Sequence, residues 1–543
     1  MFKIIKKIFL GLIAVILILV LYLVYTGWAT AFGFPYGKNN LNSGEYPEFT
    51  KFDISHEHFY NSKTALPVIG SAMIDVDGDG VDEVFLSGGE DQQDSLFKYT
   101  DNGFIEVSEN HGVNKKLTGA ASYGAAVIDY DRDGDSDMFL ARNDGVYLFV
   151  NDNGVLNEQK TDIEVLEGEA PLTLALGDIN LDGNIDIFVS AYLKADNISG
   201  FTIFNDDLYG ANSLMLLGND DGTFTDITKD AGMENIHNTF QGTFVDIDLD
   251  GDQDLVVAYD TGTVKTWRNE FEETGDLIFT DVPNPTTDVF GYPMGIAVGD
   301  YNNDGLTDFA FSNIGDLGPL RTVVRGDLNK DQVLNHKTIV FENKGDFKFE
   351  DVSEEINVAD YEFGWGLVFE DFNNDAQEDL VIAQNYISLL PHKLFRLPSR
   401  FLVQKDGDFQ TVEKDANAVN REFPIAPLYS DFNKDGQLDF IYANLSDKSV
   451  GFINKGNDNP YLGVELRNTI EMVGAIVTVK TDVGDFKKTL SVSEGLASDS
   501  THRLLFGLPD ASEVLKIELE YMNGDFYEDN SVEINTYIKA YEQ

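Results

Sequence analysis

The chain of 543 residues carries 94 acidic residues against 38 Lys and Arg, a formal net charge of −56, which repels nucleic acid and anionic lipid surfaces and attracts cations. It has no cysteine, so disulfides, thiolate metal centres and cysteine nucleophiles are excluded. Its length calls for two or more folding units, and 43% apolar residues supply their cores.

The first predicted element is a helix. Lys3, Lys6 and Lys7 precede Ile8–Tyr25, a run without a charged residue. The run has the length of a transmembrane helix and is long for a signal-peptide core. Lysines ahead of it put the N-terminus in the cytoplasm and the bulk in the periplasm or outside the cell. The expectation is therefore a single-pass membrane anchor over residues 1–31 and a linker over 32–47. A cleaved signal ending near Ala29-Thr30-Ala31 is the alternative.

A strand candidate, Glu48–Ser55 (EFTKFDIS), comes next. After it an acidic pattern, Asp-x-Asp/Asn-x-Asp-Gly-x-x-Asp, recurs from Asp75, Asp129, Asp178, Asp246, Asp300, Asp371 and Asp431, at intervals of 49 to 71 residues. Chance predicts about 0.1 such matches in a chain of this composition. A small or apolar stretch precedes each loop (SAMI, GAAVI, GIAVG), and a short β-branched or aromatic run follows it (MFLA, IFVS, LVVA). Each loop is thus the turn of a β-hairpin. A third strand (VYLFVN, TIVFEN, RFLVQK) and a fourth (GTFTDIT, FKFEDVS) complete the unit. Four strands repeated seven times predict an all-β fold, a seven-bladed β-propeller over residues 48–458. The seventh unit lacks its fourth strand. Glu48–Ser55 resembles one, and pairing it there closes the ring and removes free edges.

The loops have the chemistry of a hard-cation site. Carboxylates converge on a tight turn whose glycine permits a left-handed bend, and five or six oxygens with water suit Ca²⁺ better than Mg²⁺. No His or Cys takes part, which disfavours softer metals. The candidate ligands are Asp75, Asp77, Asp79 and Asp82; Asp129, Asp131, Asp133 and Asp137; Asp178, Asn180, Asp182 and Asp186; Asp246, Asp248, Asp250 and Asp254; Asp300, Asn302, Asp304 and Asp308; Asp371, Asn373, Asp375 and Asp379; Asp431, Asn433, Asp435 and Asp439. Up to seven Ca²⁺ ions are expected. Loops one, two and four carry four carboxylates. The others have Asn180, Asn302, Asn373 or Asn433 in place of one, and Ala376 replaces the glycine of loop six. An EF-hand is excluded, because its twelfth position needs a Glu where these loops have Leu86, Leu140, Val189, Val257, Phe311, Ile382 and Tyr442.

The longest insertions follow second strands, on the face opposite the acidic loops, near residues 192–212, 313–337 and 385–400. Tyr192, Phe201, Phe204, Tyr209, Phe395 and Arg396 lie in them and are candidates to contact an unidentified extracellular protein or glycan. No P-loop, HExxH or Gly-x-Ser-x-Gly motif occurs. A binding or adhesion scaffold is the leading reading. A glycan-processing enzyme with a carboxylate pair, or an assembly factor for envelope proteins, is the alternative.

The Gly-rich approaches to the acidic loops (YGAAVIDYDRDGDSD, FGWGLVFEDFNNDAQED) resemble the FG-GAP repeat of integrin α-subunit and VCBS-repeat propellers. Residues 459–543 resemble the ASPIC/UnbV domain that follows such propellers in the cartilage acidic protein family, through Val473–Val479, Ser493–Ser498, Leu505–Leu508 and Tyr521–Gly524. Read without the family, they form a small β-sandwich. The resemblance implies a Ca²⁺-stabilised extracellular scaffold and no reaction.

Overall fold

Residues 122–160 show how one repeat folds. Strands Ser122–Ile128 and Asp137–Arg142 are buried along their whole length, Gly145–Asn151 is mostly buried, and Leu156–Lys160 faces solvent with its charged residues. Burial therefore falls from the first strand to the fourth. That gradient is why the first two strands read as continuous apolar runs. The computed structural model describes residues 2–25, 39–59, 66–166, 168–194, 210–234, 236–315, 333–385, 396–530 and 532–540.

Seven antiparallel sheets of this type follow one another along the chain. Their first strands are Ser71–Ile74, Ser122–Ile128, Glu169–Gly177, Ile236–Val245, Ile296–Gly299, Gly364–Glu370 and Pro424–Ser430. Each lies beside the next, and the seventh returns to lie beside the first. The arrangement is propeller-like. Neighbouring first strands converge so closely that side chains are excluded at points of contact. A Cβ on Gly70 would stand 1.4 Å from the Tyr123 carbonyl oxygen, and one on Gly124 would stand 2.7 Å from that of Leu172.

The N-terminal strand completes the cycle. Phe49–Glu57 pairs antiparallel with Lys448–Asn454, from Phe49 opposite Asn454 to Ile54 opposite Ser449, as the outer strand of the seventh sheet. Phe49 is fully buried and packs edge-on against Phe401, Phe440 and Phe452. One residue thus joins the N-terminal segment to the sixth and seventh sheets.

Beyond Asn454 the chain builds a second core. A three-stranded sheet centred on Tyr461–Glu465 and a four-stranded one containing Ile476–Thr481 enclose Leu462, Val477, Phe506 and Ile517. This unit sends the segment Ser493–Thr501 into the centre of the seven sheets. Gly495 and Ile296 exchange two backbone hydrogen bonds of 2.6 and 2.8 Å. Ser71 N donates to the Ala497 carbonyl at 3.1 Å, and Val127 N donates to Asp499 Oδ2 at 2.7 Å. Gln241 Nε2 donates to the Ser493 carbonyl at 2.6 Å and its oxygen accepts from Ala497 N at 3.1 Å. Tyr429 donates to Glu494 Oε1 at 2.8 Å. First strands of five sheets are thereby bonded to one inserted segment. Its backbone groups are satisfied by the ring, which is what burial of an irregular segment requires.

The membrane placement is corrected. An N-terminal helix, Phe2–Tyr25, does form. Among the described residues, however, no helix is long and apolar enough to cross a membrane.

Phe49→Ala removes the joint between the N-terminal strand and the last sheets. It is expected to cost ~3–5 kcal/mol, read from the denaturant midpoint, while Phe52→Ala, at a partly exposed ring, costs markedly less.

Candidate metal centre

All seven acidic loops share one hydrogen-bonded frame. The first Asp accepts from the amide of the sixth residue through Oδ2, at 2.7 to 3.1 Å in every loop. The fifth Asp accepts from the amide of the seventh residue, at 2.8 to 3.2 Å. The sixth residue has positive φ throughout, from 63° at Ala376 to 104° at Gly251. So does the fourth, where six of seven residues are not glycine: Arg132, Leu181, Leu249, Asn303, Asn374 and Lys434. Left-handed backbone at such residues costs of order 1 kcal/mol each, so the loops hold a strained shape.

Several fourth-position side chains join neighbouring loops. Asn303 Nδ2 donates to the Ala376 carbonyl at 2.9 Å, Asn374 Nδ2 to that of Gly436 at 2.8 Å, and Lys434 Nζ to that of Asp79 at 2.8 Å. Arg132 reaches the Gly183 carbonyl in the same way.

The closing acid is the most deeply placed ligand. Asp137, Asp186, Asp254, Asp308, Asp379 and Asp439 are fully buried. In the first loop the equivalent residue is Glu83, not Asp82. Glu83 accepts from Val76 N at 3.0 Å, as Asp137 does from Tyr130 N at 2.8 Å and Asp186 from Ile179 N at 2.9 Å. Asp82, one residue earlier, turns away to Arg503 Nη1 at 2.8 Å and Ser430 Oγ at 2.6 Å. The loop's ninth place holds Glu83, an acid one methylene longer than the Asp of the other loops, next to an Asp that resembles them.

A recurrent amide side chain stands at the end of the third strand. The backbone N of Asn151, Asn269, Asn343, Gln404 and Asn454 donates to the closing Asp of its own sheet at 2.7 to 3.0 Å. The side-chain nitrogen of each donates to the second-residue carbonyl of the preceding sheet's loop, at 2.8 to 3.0 Å. The signal was present in VYLFVN, TIVFEN and RFLVQK, where Asn or Gln ends or nearly ends each run.

Carboxylates gather in three loops. Single oxygens from Asp75, Asp77 and Glu83, from Asp129, Asp131 and Asp137, and from Asp246, Asp248 and Asp250 lie within 4.8 Å of one another in each set. A further set, Asp250, Asp252 and Glu273, joins loop four to the short helix Phe271–Thr274. In the remaining loops the Asn donates to the fifth-position Asp at 2.9 to 3.1 Å, which neutralises part of the need for a cation. Asp75 Oδ1, Asp129 Oδ1 and Asp248 Oδ1 are buried atoms that accept no hydrogen bond. An oxygen left in that state loses its solvation without return, and a hard cation coordinated by these carboxylates restores it. The donor set fits such an ion.

Burial shifts the acids accordingly. It raises Asp129 and Asp178 to about 6, Glu83 and Asp137 to about 7, and Asp186 and Asp308 to about 8. Burial pushes Asp82 up as well, but Arg503 and Ser430 outweigh it and hold the group below the usual range.

The second unit packs on this loop face. Arg503 Nη2 pairs with Asp75 at 2.8 Å, Tyr537 donates to Asp431 at 2.6 Å, and Asp129 N donates to the Asn468 carbonyl at 2.5 Å. Of the insertion residues on the other face, Tyr192 packs at a tilt against Phe240 with ring centroids 4.4 Å apart and donates to Asp260 at 2.5 Å, so it serves the core. Arg396 is paired with Glu422 and, at 3.0 Å, with Asp447. Phe201, Phe204, Tyr209 and Phe395 lie outside the described residues.

The model of the FG-GAP-like repeat matches residues 75–139, 129–189 and 246–311, and that of ASPIC and UnbV matches residues 466–543. The chain carries FG-GAP-like repeats and an ASPIC and UnbV domain. Loops six and seven, outside the matched FG-GAP segments, share the hydrogen-bonded frame of the loops within them. Cartilage acidic protein 1 of Xenopus tropicalis is 25% identical over 353 residues, covering 60% of this chain and 48% of the relative. That of Homo sapiens is 22% identical over 343 residues, covering 60% and 49%. The chain thus spans about half the length of the curated relatives it matches. Among solved structures, the chain of BBS1N crystallised in complex with ARL6DN shares 10% identity, with 75% of this chain and 96% of that chain covered at a TM-score of 0.42.

Two outcomes test the loop geometry. Ala376→Gly relieves left-handed strain and is expected to raise stability by ~1 kcal/mol, read by chemical denaturation. In chelator, the folded chain holds protons on carboxylates that the unfolded chain has already released. Proton binding favours the folded state at low pH, so the melting temperature is expected to fall as pH rises from 5 to 8.

Proposed function

We propose that this protein is a seven-bladed β-propeller stiffened by Ca²⁺ in its acidic loops and closed at the centre by its C-terminal domain, acting as a non-catalytic extracellular binding or adhesion scaffold. The observation that carries this is the common hydrogen-bonded frame of the seven strained turns, together with loops one, two and four, where carboxylates converge and buried oxygens accept no hydrogen bond. Seven such loops at corresponding places are a property of the scaffold rather than of one reaction centre. The extracellular setting accords with the ion: extracellular Ca²⁺ modules work with affinities of ~0.1–1 mM, and a chain without cysteine needs another source of rigidity.

The filled centre bears on the alternatives. The axial channel of a propeller is a natural cavity for a small substrate, and here Ser493–Thr501 occupies it. That supports a scaffold over a glycan-processing enzyme. The partner, an extracellular protein or a glycan, then meets an outer surface. The C-terminal domain meets the acidic loops, so the partner is placed on the opposite face.

Ca²⁺ at 100 times its dissociation constant stabilises the chain by about 2.7 kcal/mol per site. Adding Ca²⁺ to chelator-treated protein is expected to raise the melting temperature by ~5–10 °C and to flatten its dependence on pH. An unchanged melting temperature would reject the calcium reading. A glycan array and a pull-down with the full chain, run with Ca²⁺ and with EDTA, test the scaffold. Retention of an unaltered ligand supports it, and release of a processed glycan rejects it.

A further inference from the structure

We propose that one residue of the third strand decides which acidic loops take a free divalent cation, and that loop two is the strongest such site. The inference rests on the calcium reading above and adds to it which loops are filled from within.

Continued one residue beyond the last paired positions of the second and third strands, each sheet's register brings a single third-strand residue opposite the closing acid. These residues are Lys98, Val150, Leu217, Arg268, Glu342, Val403 and Ile453 in chain order. Two are cations, and both belong to loops that carry Asp at the third position.

In loop one, Lys98 Nζ lies 2.7 Å from Asp77, 2.8 Å from Asp79 and 2.9 Å from Glu83. An ammonium has three donors and a single positive charge at one point, and here all three are directed at loop carboxylates. It stands where a metal would gather the same oxygens. Arg503 adds a second cation, 2.8 Å from Asp75 and 2.8 Å from Asp82. A Ca²⁺ ion entering this loop must expel a tethered competitor whose local concentration is set by the chain itself. In loop four, Arg268 Nη2 meets Asp248 at 3.1 Å, and its guanidinium lies over the Phe347 ring at 4.5 Å.

Loop two has the same carboxylates and no such partner. Val150, the residue after the Met138–Phe149 pair, stands where Lys98 follows the Val84–Phe97 pair in loop one. Arg132, within the loop, pairs with Glu471 at 2.6 Å instead. Among the described residues no Lys or Arg forms an ion pair with Asp129, Asp131, Asp133 or Asp137. Asp129 is only 5% exposed, and its Oδ1 accepts no hydrogen bond while sharing a cluster with Asp131 and Asp137. Loop two is therefore open to a cation from solution, and loops one and four carry their own.

The full chain, stripped with chelator and titrated with CaCl₂ by calorimetry, tests this, with bound metal counted by elemental analysis after desalting. Lys98→Met is expected to bind one more Ca²⁺ per chain than the wild type. Its melting temperature should fall in EDTA and recover in Ca²⁺. Val150→Lys is expected to weaken the tightest site at least tenfold. Wild-type protein that binds Ca²⁺ with no change in either variant overturns the inference and leaves the calcium reading standing. Wild-type protein that binds no Ca²⁺ removes both. If Lys98→Met does not fold, Val150→Lys decides alone, because Val150 is partly exposed and tolerates a longer side chain: unchanged affinity overturns the proposal.

Discussion

A buried carboxylate between two strands is the interaction on which this molecule depends. In most sheets the closing acid accepts from the second residue of its own loop and from the amide of a third-strand Asn or Gln. That same Asn or Gln then reaches the loop of the preceding sheet. One acid thus fixes the turn, ties it to the third strand and aligns the link to a neighbour. The cost is a carboxylate removed from water, which only a well-placed set of donors or a cation offsets. Strain at the fourth and sixth positions adds to that cost. The loops are therefore poised to gain from an added positive charge, and the differences among them follow from where the chain already provides one.

Two closures act on the ring at different radii. At the rim, Phe49–Glu57 completes the seventh sheet by pairing with the outer edge of Lys448–Asn454. At the axis, Ser493–Thr501 is bonded to first strands from five sheets. Segments near the two ends of the chain hold the same ring, so its unfolding is expected to be coupled to that of the second unit. Burying Glu494 in the centre is tolerable because Tyr429 donates to it; even so, burial raises its carboxyl to about 8.

The repeat was legible because its chemistry is local. Asp, Gly and short apolar runs within nine to fifteen residues specify a hairpin turn, and periodicity multiplies the signal. The N-terminal strand was legible for the same reason, by likeness to other fourth strands. What escaped was either offset by one residue, as with Glu83 beside Asp82, or carried by residues that act on another sheet, as with Asn151, Asn343 and Asn454. The fourth-position side chains belong to the second kind: Asn303 and Asn374 look like ordinary turn residues until the adjacent loop is seen. Tyr192 looked like a surface aromatic because its insertion is long, yet its ring belongs to the core beside Phe240.

The sequence by itself determined the all-β class, the sevenfold acidic repeat and the oxygen-rich character of the loops. Each of these is a matter of spacing and residue type along the chain. Only the tertiary structure decided that Ser493–Thr501 fills the centre, that the C-terminal domain covers the acidic face, and that Lys98 and Arg503 reach the carboxylates of loop one. Those facts join residues as far apart as Asp75 and Arg503. No local pattern encodes such pairs, because their proximity comes from closing the ring and docking the second core upon it.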